Sequence, residues 1–87
     1  MENKSGFKIM EINQDTFLVE WNDKPSQILF SKLLFLRKTL EKKPEVLVCR
    51  MGYRSLLIQL NKKIQNLEWW NQYFKRFLLK IKKHKNF

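Results

Sequence analysis

An 87-residue chain has room for one small domain and no second one. Its content is 44% hydrophobic and 14% aromatic with two Gly and two Pro, which excludes a disordered or low-complexity linker. The single cysteine, Cys49, excludes an internal disulfide, and the formal net charge of +10 is uneven, because residues 61–87 hold eight Lys/Arg against Glu68 alone.

In chain order, Phe7-Lys8-Ile9-Met10-Glu11-Ile12 is a short β-type run. Asn13-Gln14-Asp15 is turn chemistry, and Thr16-Phe17-Leu18-Val19-Glu20-Trp21 is a second strand, so the two runs read as a hairpin. Asn22-Asp23-Lys24-Pro25 breaks the pattern, and Ser26 is placed to cap a helix. Leu29, Leu33, Leu36 and Leu40 then recur on one helical face. Phe30, Leu34 and Phe35 widen that face and predict a well-covered helix. Lys42 and Lys43 suit its negative end, and Pro44 stops it. Glu45-Val46-Leu47-Val48-Cys49-Arg50 predicts a third strand, with Cys49 as a buried thiol.

Met51-Gly52 turns the chain into a fourth strand predicted from Tyr53 to Leu60. Strand alternation sets Leu56, Ile58 and Leu60 toward the core. A second helix is expected from about Asn66, which is placed to cap it, with Glu68 in its first turn. Leu67, Trp70, Phe74, Phe77 and Ile81 form its apolar stripe, flanked by Trp69, Tyr73 and Leu78. Lys75, Arg76, Lys80, Lys82 and Lys83 occupy much of the remainder, and a basic tail over about 82–87 is expected to fray. The order β-β-α-β-β-α predicts an α+β two-layer sandwich: one domain over residues 1–87, an antiparallel four-stranded sheet and both helices on one face.

The chain assembles no catalytic constellation. His84 is the only histidine and sits in a Lys-rich stretch, so neither a metal site nor a Ser-His-Asp relay is expected. Gly6 and Gly52 cannot build a phosphate loop. Glu11, Asp15, Glu20 and Asp23 read as a solvated edge of the first hairpin. The expectation is therefore no catalytic residue, no metal and no cofactor. Tyr53, Arg54 and Ser55 form one candidate recognition patch, since Arg offers a planar donor fork and Tyr a large amphipathic anchor. The competing structural reading pairs Arg54 with a strand-edge acid and packs Tyr53 on the sheet. Trp69 and Tyr73 are the second candidate patch, as aromatic excess beyond what the stripe needs to bury.

Gly52-Tyr53-Arg54-Ser55-Leu56-Leu57-Ile58 resembles the Ala/Gly-Tyr-Arg-Ser-Leu-Leu-Val strand of a bacterial family. That family is allophanate hydrolase subunit 1, also described as a component of 5-oxoprolinase and as the sporulation-kinase inhibitor. Gln14-Asp15-Thr16-Phe17-Leu18-Val19-Glu20-Trp21 is similar to its Gly-Asp-x-Ala-Leu-Leu-Val-Glu-Phe strand, without the glycine, and the family's proline before the Tyr-Arg-Ser strand is also absent. The resemblance spans roughly residues 7–82 and the family's N-terminal domain. The cyclophilin-like barrel that follows there has no counterpart in this sequence. The resemblance implies a stand-alone module or a fragment of a longer protein, inactive alone, that enters an amide-hydrolysing or 5-oxoprolinase complex as a non-catalytic subunit.

The leading expectation is a non-catalytic protein-binding module that docks on a companion subunit or signalling protein, with homo-oligomerisation as a further form of association. The alternative is a basic nucleic-acid-binding domain acting through the C-terminal helix. Membrane attachment by the basic helix is disfavoured, because it would take the apolar stripe out of the core. Met1–Gly6 lacks the apolar segment of a secretory signal and no apolar run spans a bilayer, so a cytoplasmic location is expected.

Overall fold

Turn chemistry starts the sheet. A computed structural model describes residues 6–84, with side chains described for residues 6–77. Strand β1 (Phe7–Asn13) and strand β2 (Thr16–Trp21) are joined through Gln14 and Asp15. The Asn13 side-chain oxygen accepts the Asp15 backbone N–H at 3.1 Å, and the Thr16 hydroxyl donates to Asp15 Oδ1 at 2.8 Å. These bonds turn the backbone without help from glycine. Gly6 is the glycine that adopts a left-handed φ, of +80°, just before β1.

Helix α1 (Gln27–Glu41) begins where Ser26 accepts the Leu29 backbone N–H at 3.1 Å and ends before Pro44. Strand β3 (Val46–Met51) pairs with β4 (Ser55–Leu60), and β4 pairs with β2, all antiparallel. The resulting strand order is β1-β2-β4-β3. A register shift between Val46 and Val48 interrupts the β3 edge and leaves Leu47 exposed. Helix α2 (Leu67–His84) starts with Asn66 Oδ1 accepting the Trp69 backbone N–H at 3.2 Å.

Alternation along the strands explains why one layer of helices suffices. Phe7, Phe17, Val19, Trp21, Cys49, Leu56, Ile58 and Leu60 share one face of the sheet. Leu29, Leu33, Leu36 and Leu40 of α1 and Trp70 and Phe74 of α2 close over that face. Each such side chain contributes about 1.5–3 kcal/mol when fully buried. Under α2 the core is aromatic: Phe74 meets Phe7 and Trp21, with ring centroids 6.1 and 6.3 Å apart, and Trp70 meets Phe17 at 5.1 Å. The opposite face of the sheet carries Lys8, Met10, Leu18, Glu20 and Leu57, with Lys8 and Glu20 in an ion pair at 3.6 Å. The fold is thus the α+β two-layer sandwich expected.

Two expectations need correction. The fourth strand begins at Ser55, so Tyr53 and Arg54 belong to the β3–β4 turn and not to the strand. Phe30 and Phe35 do not complete the covered face of α1 but stand 53% and 47% exposed, because the four leucines already fill the contact with the sheet. The readings placed on Leu78, Lys80, Ile81, Lys82, Lys83 and the tail of about 82–87 concern side chains outside the described residues. No helix among the described residues is long and apolar enough to cross a membrane.

Candidate functional site

The five candidate residues fall into two groups at opposite ends of β4. Tyr53, Arg54 and Ser55 lie at its start and Trp69 and Tyr73 beyond its finish, roughly 17 Å of strand away at ~3.3 Å per residue. They therefore form two surfaces and not one.

At the first end, Gly52 N–H donates to the Ser55 carbonyl at 2.9 Å, which closes a tight turn with Tyr53 and Arg54 at its tip. The Arg54 carbonyl accepts the Trp21 backbone N–H at 2.8 Å and so ties this turn to the end of β2. Ser55 is half-buried and serves the turn through its backbone. Arg54 is exposed and forms no ion pair among the described residues, which removes the reading that it pairs with a strand-edge acid. Tyr53 does not pack on the sheet. It is 89% exposed and borders an open cavity of about 510 Å³, with Pro25, Ser26 and Phe30 from the start of α1 and Met51 and Gly52 from β3 and its turn.

Four elements converge at the second end. The Gln14 and Asp15 carbonyls of the first turn accept the Ile64 and Leu60 backbone N–H groups at 2.7 and 2.8 Å. Asn61 N–H donates to the Glu45 carbonyl at 2.9 Å, fixing the start of β3 beside the end of β4. On this base stand the first turns of α2. The Trp69 and Tyr73 rings, brought close by their i, i+4 spacing on the helix, are nearly parallel, 10° apart with centroids 5.7 Å distant. The Lys43 ammonium lies 4.9 Å from the Tyr73 ring centroid and 5.9 Å from that of Trp69. Such cation–π contacts are worth about 0.5–1 kcal/mol at exposed sites. Burial, with the nearby Glu45 charge second, pushes the Tyr73 phenol above its ordinary pKa. Trp69 remains 49% exposed and borders a cavity of about 280 Å³ that also meets Glu45, Lys62, Lys63, Gln65 and Asn66.

Glu68 immediately precedes Trp69 in the first turn of α2. Hydrogen bonds from Gln72 at 2.8 Å and Asn71 at 3.4 Å hold its carboxyl below the usual range. Among the described residues no three His, Cys, Asp or Glu side chains come together. Cys49 is buried, and burial, reinforced by Glu41, pushes its thiol up to about 11, which keeps it protonated and poorly nucleophilic at neutral pH.

The structure adds residues that sequence reasoning did not assign to these patches. Phe30 reads in sequence as core. Lys43 reads only as a cation suited to a helix C-terminus, and its aromatic partners lie about thirty positions onward. Glu45, Lys62 and Lys63 bear no local mark of a shared cavity. Comparison of the chain with protein-family models, curated proteins and solved structures finds no match.

Proposed function

We propose that this chain is a non-catalytic protein-binding module, of the kind its likeness to the N-terminal domain of the allophanate hydrolase subunit 1 and 5-oxoprolinase family suggests. It docks on a companion subunit through the β3–β4 turn. The observation that carries this reading is Tyr53, 89% exposed at the rim of a cavity that Phe30, 53% exposed, also lines. A tyrosine with two rotatable side-chain bonds loses little entropy when it docks, and an apolar cavity beside it excludes water from the contact. Pro25 stiffens the opposite rim, and Ser26 holds α1 in place through its cap, so the surface is presented on a rigid frame.

Arg54 at the same tip offers a bidentate group to a carboxylate on the partner. The companion expected from the resemblance is a subunit of carboxyltransferase type. The test is co-expression of the tagged chain with such a subunit, with Tyr53→Ala and Phe30→Ser run beside the wild type at low and high salt. Salt-resistant co-purification lost in both variants is the expected result. Retention of the companion by both variants, or its loss in moderate salt, overturns the proposal.

A further inference from the structure

The Trp69 end has chemistry that docking through Tyr53 does not use. Its cavity of about 280 Å³ combines a half-exposed indole, two lysines, two amide side chains and one carboxylate. Lys62 and Lys63 are exposed and enter no ion pair among the described residues. Lys43 reaches the same aromatic pair from the end of α1. We propose that this end is a binding site for single-stranded nucleic acid, with one base stacked at Trp69 and the flanking phosphates held by Lys43, Lys62 and Lys63.

Non-specific single-strand binding needs an aromatic surface for the base and cations that follow the backbone. Trp69 and Tyr73 already stack on one another, which leaves the half-exposed outer surface of Trp69 for a base, and the lysines flank it. Gln65, Asn66 and Glu45 add donors and acceptors of the kind that read the edge of an unstacked base. The exposed aromatic separates this ligand from an acidic polypeptide, whose carboxylates bring no ring to stack on it. The Glu45 carboxylate repels phosphate and Asp or Glu alike, and its use is to accept a hydrogen bond from the exocyclic amine of adenine, cytosine or guanine. A duplex is excluded because its bases are already stacked and paired. The uncovered face of the sheet is a poorer candidate, since the positions it presents, such as Met10, Leu18 and Leu57, are aliphatic. The cation over the rings is part of the site: when a base takes the ring surface, Lys43 exchanges a weak cation–π contact for a phosphate.

The experiment is fluorescence anisotropy of labelled single-stranded DNA and RNA of about 10 nucleotides, within the site sizes such surfaces cover. Heparin serves as a polyanion without bases, and poly-glutamate as an acidic polypeptide. The expected result is oligonucleotide binding that Trp69→Ala weakens about tenfold or more, that Trp69→Phe largely retains, and that leaves heparin binding unchanged in every Trp69 variant. Lys62→Gln with Lys63→Gln reduces the dependence of log affinity on log salt, and these exposed positions keep the test valid if Trp69→Ala fails to fold. Equal oligonucleotide affinity in wild type and Trp69→Ala overturns the proposal, as does poly-glutamate binding with the same Trp69 dependence. Absence of oligonucleotide binding at low salt also overturns it. None of these outcomes touches Tyr53, so the docking reading stands or falls separately.

Discussion

The two ends of the sheet are built from the same layers yet present different chemistry. At the β3–β4 end the cavity is lined by uncharged groups, Tyr53, Phe30 and Pro25 among them, with Arg54 beside Tyr53 at the tip of the turn. At the opposite end the exposed aromatic Trp69 is surrounded by Lys43, Lys62 and Lys63. The difference arises in the connections. A short turn between β3 and β4 leaves no length for a charged loop, whereas the chain leaving α1 and the chain leaving β4 each end in a lysine pair, Lys42-Lys43 and Lys62-Lys63. Charge counted along the sequence places the basic excess in the last third. In space, part of the basic surface at Trp69 comes from Lys43, in the first half. With one face of the sheet packed under the helices and the other carrying aliphatic and charged positions, the exposed aromatics gather at its ends.

Both ends stand on one support, the aromatic core under α2. Phe74 is fully buried between Phe7 and Trp21. Phe74→Ala should cost about 3–5 kcal/mol in chemical denaturation and abolish both docking and oligonucleotide binding. An unchanged denaturation midpoint would mean that α2 is not part of the common core.

Alkali probes the same shared sheet from β3. The folded Cys49 pKa of about 11 exceeds the ordinary 9.0, so the folded state holds the proton more tightly than the unfolded chain. The resulting stability is complete below pH 9 and is lost as pH rises through about 11. The loss is no more than about 2–3 kcal/mol for a shift of this size. Urea titrations at stepped pH should show a decline that Cys49→Ser, by replacing the thiol, flattens. At pH 8 the native thiol should resist a disulfide reagent that modifies the unfolded chain.

The sharpest form of the comparison is a pair of surface substitutions read in both assays. Trp69→Ala should weaken oligonucleotide binding by about 1–2 kcal/mol and leave companion docking intact, while Tyr53→Ala should do the reverse. Tyr53→Ala should shift stability by less than about 0.5 kcal/mol, because so exposed a side chain loses little packing. If either substitution reduces both activities in a folded protein, the two ends are one site. Ser26→Ala removes the α1 cap beside Tyr53 and should cost about 1 kcal/mol of stability, measured by thermal unfolding with and without the companion. A comparably small effect is expected at the other end. Lys43→Met should forfeit about 0.5–1 kcal/mol of cation–π stabilisation, visible as a change in tryptophan emission and a fall of about 2–8 °C in the melting temperature.

Local pattern carries most of the architecture. The Thr16–Trp21 and Leu56–Leu60 alternations, the Leu29-Leu33-Leu36-Leu40 stripe and the caps Ser26 and Asn66 are each visible within a few residues and appear where expected. Alternation misplaces the start of β4, because Tyr53 and Arg54 continue the pattern in sequence while two residues are needed to reverse the chain between Gly52 and Ser55. Phe30 and Phe35 mislead for a related reason. Periodicity reports which side chains are apolar and not how wide a face the neighbouring sheet covers. Of the candidate residues, Tyr53 and Trp69 are legible by type and position. Their partners Phe30, Lys43 and Glu45 are not, because a contact between distant segments leaves no local trace in one sequence.

Element order, the inward faces of the strands and the place of the β1–β2 turn all follow from the order of residues along the chain, because backbone geometry imposes periods of two and about 3.6 on any segment that buries an apolar face. The strand order β1-β2-β4-β3, the separation of Tyr53 from Trp69 and the placing of Lys43 on the α2 aromatics exist only in the folded molecule. Those outcomes depend on which buried surfaces meet, and that is settled by packing among segments far apart in the chain.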